Sequence, residues 1–140
     1  MKDALIAFAR AVGWGTLAGA APYVPLLLVP MILANLDNGD LPSALALVLL
    51  PLAGSAMFVL GSALVLGLPL TFFLSQRPVE DGATYAVAGA LLGLLVPVAM
   101  TFAIGGEPGG EVLFLSLPGA FAGLVTGTSW GRWREARRAM

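Results

Sequence analysis

Long apolar runs alternate with short polar turns along this chain, and the lengths of the runs set the first expectation. A helix rises about 1.5 Å per residue, so about 20 apolar residues cross the roughly 30 Å of a bilayer's hydrocarbon. Four runs of that order stand between polar segments, at 11–34, 42–66, 83–104 and 112–130. Barrel strands would show alternating polarity in segments of about ten residues, and no such alternation occurs. The pattern predicts an all-α chain: a single polytopic membrane domain of four transmembrane helices in an up-down bundle with short turns.

Prolines modify that picture. Pro22, Pro25 and Pro30 fall within the first run. A proline inside a helix removes one backbone hydrogen bond and crowds the preceding turn, so span one is expected to be kinked. Pro51, Pro97 and Pro118 place further kinks in the later spans. Pro42 stands where a helix begins, a position at which its missing N–H costs nothing. The apolar stretch 41–74 would be about 50 Å long as one helix, too long for an upright span and too short for two. We divide it at Gly67-Leu68-Pro69, leaving 67–77 as an interfacial segment; a single tilted, kinked helix is the alternative. Ala18-Gly19-Ala20 resembles a signal-peptide cleavage site. The apolar stretch before it is interrupted by glycine and tryptophan, however, and cleavage would leave 21–34 too short to span. Leu27-Leu28-Val29-Pro30 and Leu94-Leu95-Val96-Pro97 are read as chance recurrence in an apolar chain, not as a repeat.

Composition strengthens the membrane reading. Hydrophobic residues make up 59% of the 140 and charged residues 11%, where soluble domains carry about 25% charged. The few charges are unevenly placed. Lys2, Arg10, Arg77, Arg132, Arg134, Arg137 and Arg138 fall on one side of the four-span order, while Asp37, Asp40, Glu107 and Glu111 occupy the opposite turns. Basic residues stay in the cytoplasm, so both termini are expected there. Trp14, Trp130 and Trp133 map to the same basic side, where indole favours the headgroups. The residues 131–140 form a basic tail. With Trp14 and Trp130, its Arg132, Trp133, Arg134, Arg137 and Arg138 make a lipid and interface anchor for anionic headgroups. The Ala-, Gly- and Leu-rich composition, with arginine favoured over lysine, points to a bacterium and hence to its inner membrane. Nucleic acid is not an expected partner, since the basic residues cluster only in the tail.

Candidate chemistry is sparse. The chain has neither Cys nor His, which removes thiol chemistry and the commonest ligand of haem and zinc; no cofactor and no metal is expected. No ionisable residue falls at mid-span, where functional charges of pumps and carriers usually sit. Hydroxyls such as Thr126, Thr128 and Ser129 lack a base to activate them, so no catalytic residue is assigned and no enzyme is expected. The clearest local pattern is glycine at spacing four: Gly15 with Gly19, Gly89 with Gly93, and Gly119 with Gly123 and Gly127. Such spacing lines one helix face with small residues and lets another helix approach closely. Small size, short loops and glycine faces point to an accessory or assembly subunit of a membrane complex, with a membrane-protein partner or self-association. A small oligomeric transporter or channel for an uncharged or small solute is the alternative, supported by the proline-broken first span.

Overall fold

The structure is a computed structural model that describes residues 2–76, 81–107 and 109–139. Every regular element among them is helical. Helix α1 (Lys2–Ala20) is followed by a turn at Ala21-Pro22, a π-helical turn Val24–Leu28 and α2 (Val29–Asp37). Helix α3 (Leu41–Ser62) runs through a second π turn, Ala63–Gly67, directly into α4 (Leu68–Ser75). Helices α5 (Gly82–Ala103) and α6 (Gly110–Arg138) complete the chain. The expected turn at 77–82 falls mostly outside the described residues, with Arg77 and Glu80 among those not described.

Local chemistry accounts for the boundaries. Asp40 and Asp81 cap α3 and α5, their carboxylates accepting the backbone N–H of Ser43 at 3.2 Å and of Thr84 at 2.6 Å. Each thereby satisfies one donor that the first helical turn leaves without a partner. The Ser43 and Thr84 side chains hold the two carboxyls below the usual carboxylate range, and the backbone N–H groups add to the effect. Helices α2 and α5 both stop on a glycine with positive φ, Gly39 at 73° and Gly105 at 77°. At each stop the glycine N–H returns to Leu36 or Phe102, and the following N–H returns to Asn35 or Thr101. This double closure requires a left-handed residue, which glycine adopts without strain.

Both π turns stand immediately before a proline: Val29 N–H reaches back to Val24 and Leu68 N–H to Ala63, with Pro30 and Pro69 next in the chain. A proline clashes with the carbonyl four residues back. Widening that turn by one residue makes room for the ring while the helix continues. Residues 67–75 therefore continue a helix of 35 residues, Leu41–Ser75, as in the single-helix alternative. Helix α1 begins at Lys2 and α6 runs through the basic tail to Arg138, each extending past the apolar run it contains. The kink in the first span is localised at Ala21-Pro22 and the π turn carrying Pro25.

Of the four expected spans, two among the described residues are long and apolar enough to cross a membrane: Leu41–Ser75 and Gly82–Ala103. Their most apolar 18 residues are only 11% and 0% buried within the chain, unlike the core helix of a soluble domain. The interior is correspondingly small-grained. The buried side chains are Ala11, Ser116, Tyr85, Ala20, Ala44, Ala122, Val112 and Leu28, and no large side chain among the described residues is fully buried. Large apolar groups face outward instead, with Leu50 69%, Met57 77% and Phe73 68% exposed.

Helix α6 is the hub. It packs antiparallel to α5 along most of its length and antiparallel to α1 along another face, and α1 in turn carries α3. The α3–α4 helix meets α5 and α6 only sparsely. The start of α1 and the end of α6 share one end of the assembly, where Arg137 reaches Asp3 at 3.9 Å.

Candidate functional site

The α5–α6 seam is made by glycine. Gly89 faces Gly123, Gly93 faces Gly119, and Gly127 faces the carbonyl of Tyr85. A Cβ on any of these residues would overlap a backbone carbonyl oxygen of the opposite helix. The hydrogen that glycine carries in that direction instead points at the oxygen, forming a weak Cα–H···O contact. Pro97 adds to the arrangement: having no N–H, it leaves the Gly93 carbonyl without its helical donor, and this is the oxygen that Gly119 meets. On the other face of α6, Gly15 of α1 admits Thr126, and Gly19 lies against Ala122 and the Ser55 hydroxyl. All seven glycines of the spacing-four pattern thus lie against neighbours in the same chain.

Pro118 in α6 creates a second orphan carbonyl, that of Phe114. The Tyr23 hydroxyl donates to it at 3.2 Å, and the two rings pack at 5.1 Å between centroids. Tyr23 belongs to the broken segment between α1 and α2, so one proline-disrupted helix supplies the donor that another lacks. Nothing in the spacing of the sequence marks Tyr23 for this role.

The basic end is more ordered than a free tail. Trp130 stacks on Trp133 with centroids 4.8 Å apart and meets Phe8 of α1 edge-on at 6.0 Å. Its indole N–H donates to the Thr71 hydroxyl at 3.1 Å, tying α6 to α4. The Arg137 guanidinium lies 5.3 Å from the Trp133 ring centre. Glu135 accepts the Gly82 N–H at 2.7 Å, closing the start of α5 from the neighbouring helix. Arg132 and Arg138 are exposed, and Arg134 is half-buried. Trp14 does not join this cluster. Because α1 starts at Lys2, Phe8 sits level with Trp130, and Trp14 lies about 9 Å further along the helix, 53% exposed.

Between α3–α4 and α5, floored by α1 and α6, runs a half-open apolar cleft of about 480 Å³. It reaches from Trp130, Thr71 and Tyr85 at the basic end to Met100 and Ile104 at the opposite end. Among the described residues, no carboxylate, ammonium or guanidinium group lines it. Four of its hydroxyls donate to backbone carbonyls: Ser55 to Thr16 at 3.0 Å, Thr71 to Gly67 at 2.8 Å, Thr101 to Pro97 at 2.9 Å and Thr126 to Ala122 at 2.8 Å. They therefore offer lone pairs but no proton, and no nucleophile–base pair is assembled among them. The cleft is a place for apolar matter. Of the prolines, Pro51, Pro97 and Pro118 line it, whereas Pro22, Pro25 and Pro30 do not.

Comparison with protein-family models, with curated proteins and with solved structures gives no match.

Proposed function

We propose that this chain is a four-span integral protein of the bacterial inner membrane, with both termini in the cytoplasm. It carries out no reaction of its own and serves as an accessory or assembly subunit of a larger membrane complex. The observation that carries this reading is the outward placement of its bulk. Leu50, Met57, Val65 and Phe73 are more than two-thirds exposed along one long helix, a surface that is stable in hydrocarbon and not in water. Helices α1 and α6 pack against spanning candidates over long seams, which supports placing them at the same depth. The basic end supports the cytoplasmic assignment. Because the glycine seams are occupied within the chain, the surface left for a partner is the outer face of α3–α4, which is gripped along only one edge.

Extraction and topology test the reading. The protein should stay in membranes washed with alkaline carbonate and leave only with detergent. Reporter fusions at Asn38 and Pro108 should be active outside the cytoplasm, and one at Gly82 inside. A cytoplasmic signal at Asn38 would refute the orientation. Native electrophoresis in mild detergent should show the chain co-migrating with larger unrelated subunits. The apolar cleft favours a second reading, a small oligomeric transporter or channel for an uncharged solute; a discrete homo-oligomer on the same gel would support that instead.

A further inference from the structure

We propose that the cleft between α3–α4 and α5 holds an acyl chain of an anionic phospholipid, its phosphate lying at the Trp130 end. The inference rests on the membrane-spanning reading above and deepens it. The cleft follows α5 from Tyr85 to Ile104, about 28 Å at the helical rise, which matches the hydrocarbon thickness of a bilayer. Spread over that length, 480 Å³ leaves a slot much narrower than the 10–12 Å diameter of a helix with its side chains. That slender shape suits a single hydrocarbon chain. The described lining holds no formal charge and the cleft is half-open, so a lipid can enter without dehydrating an ion.

Charge selects the polarity of the lipid. At the Trp130 end, α6 continues through Arg132, Arg134, Arg137 and Arg138. Arg134 lies four residues beyond Trp130, one turn on and on the same helix face. At the Ile104 end the next charged side chain along the chain is Glu107. Asp3, Asp81 and Glu135 stand at the Trp130 end too, Asp3 beside Arg137, Asp81 capping α5 and Glu135 on the Gly82 N–H. The four arginines outnumber them, so a phosphate is favoured at the first mouth over the second. The indole ring of Trp130 stands at the first mouth, at the level where interfacial aromatics meet headgroups.

Gly54 provides the test. It lines the cleft, and a Cβ added there meets nothing within 4 Å, so Gly54→Leu adds its bulk where the cleft has room. Gly61 is equally free of neighbours but does not line the cleft, so Gly61→Leu adds the same bulk to the same helix as a control. Wild type and both variants are reconstituted in nanodiscs of equimolar phosphatidylcholine and phosphatidylglycerol, then released for native mass spectrometry. Wild type and Gly61→Leu should retain one phosphatidylglycerol per chain, and Gly54→Leu should retain at least tenfold less. The double substitution Arg132→Gln with Arg134→Gln should keep a lipid but lose the preference for phosphatidylglycerol. Equal retention by Gly54→Leu and Gly61→Leu overturns the proposal, as does a second copy of the chain displaced by Gly54→Leu. Release of the wild-type chain by alkaline carbonate would instead sink the membrane-spanning reading itself. Chains that resist carbonate yet bind no lipid would sink only this inference.

Discussion

Placing a methyl group in the α5–α6 seam is the sharpest probe of the fold. At Gly123 the added Cβ would overlap the Gly89 carbonyl oxygen, a backbone atom that cannot rotate aside. The two helices must separate. Overpacking of this kind costs about 1–3 kcal/mol, and the upper part of that range applies because the obstacle is backbone. Breaking a Cα–H···O interaction adds about 0.5–1 kcal/mol. A gap of 0.5–1 Å forfeits roughly a quarter to a half of the dispersion attraction at every level it touches. Against this, alanine regains about 1 kcal/mol of helix propensity over glycine. The net expectation for Gly123→Ala is a loss of about 2 kcal/mol, roughly thirtyfold in the folded-to-unfolded ratio. Gly54→Ala is the matched reference, since its Cβ enters open space and only the propensity gain of up to about 1 kcal/mol remains. Equilibrium unfolding in mixed micelles with increasing dodecyl sulfate, followed by far-ultraviolet circular dichroism, measures both. If Gly123→Ala proves no less stable than Gly54→Ala, the close backbone approach is not what holds these helices together.

Three further outcomes follow from particular interactions. Tyr23→Phe should cost about 1 kcal/mol by leaving the Phe114 carbonyl without its donor; in a Pro118→Ala background, where residue 118 regains an N–H, the same change should cost almost nothing, and a double-mutant cycle reads the difference. Trp130→Phe should free α4 from α6, seen as faster hydrogen exchange confined to Leu68–Ser75; uniform exchange across the chain would contradict the tie to Thr71. The capping carboxyls of Asp40 and Asp81 titrate lower in the folded chain than when unfolded, so their contribution is complete above the unfolded value of about 3.9 and fades as pH falls through the folded values. Melting should hold steady from pH 7 to about 5 and decline below about 4, with a shallower decline in Asp40→Asn/Asp81→Asn, since asparagine caps without titrating.

Much of the local structure is written in adjacent residues. Asp40 before Leu41-Pro42 and Asp81 before Gly82 announce helix starts, and Asn38-Gly39 and Gly105-Gly106 announce stops. The glycine spacing likewise announces a close helix pair, because it encodes a property of one face. Two helices run past their apolar stretches for one reason. Charge in an apolar chain reads as punctuation, yet Lys, Arg, Glu and Ala are good helix formers, so α1 extends back to Lys2 and α6 forward to Arg138. Likewise Gly67 and Pro69 do not end the helix, because a π turn lets the chain pass Pro69 without stopping.

The cleft is invisible in the sequence for a different reason: it belongs to the choice of partners, and no segment encodes it alone. Helix α6 presents small residues on two faces, Gly119, Gly123 and Gly127 toward α5, and Ala122 and Thr126 toward α1. Both neighbours can therefore come close. Helix α3 meets α1 closely where Ser55 lies against Gly19 and Thr16, packs on α2 with Ala44 buried, and elsewhere presents Leu, Phe and Met outward. Dispersion falls steeply with separation, so the fourth helix is held by one edge, by the Asp40 turn and by the Thr71–Trp130 bond. The same economy of side-chain size that welds α1, α5 and α6 leaves α3–α4 standing off. The cleft follows from that inequality, so filling it at Gly54 and prising the α5–α6 seam apart with alanine at Gly123 should each alter one feature without the other.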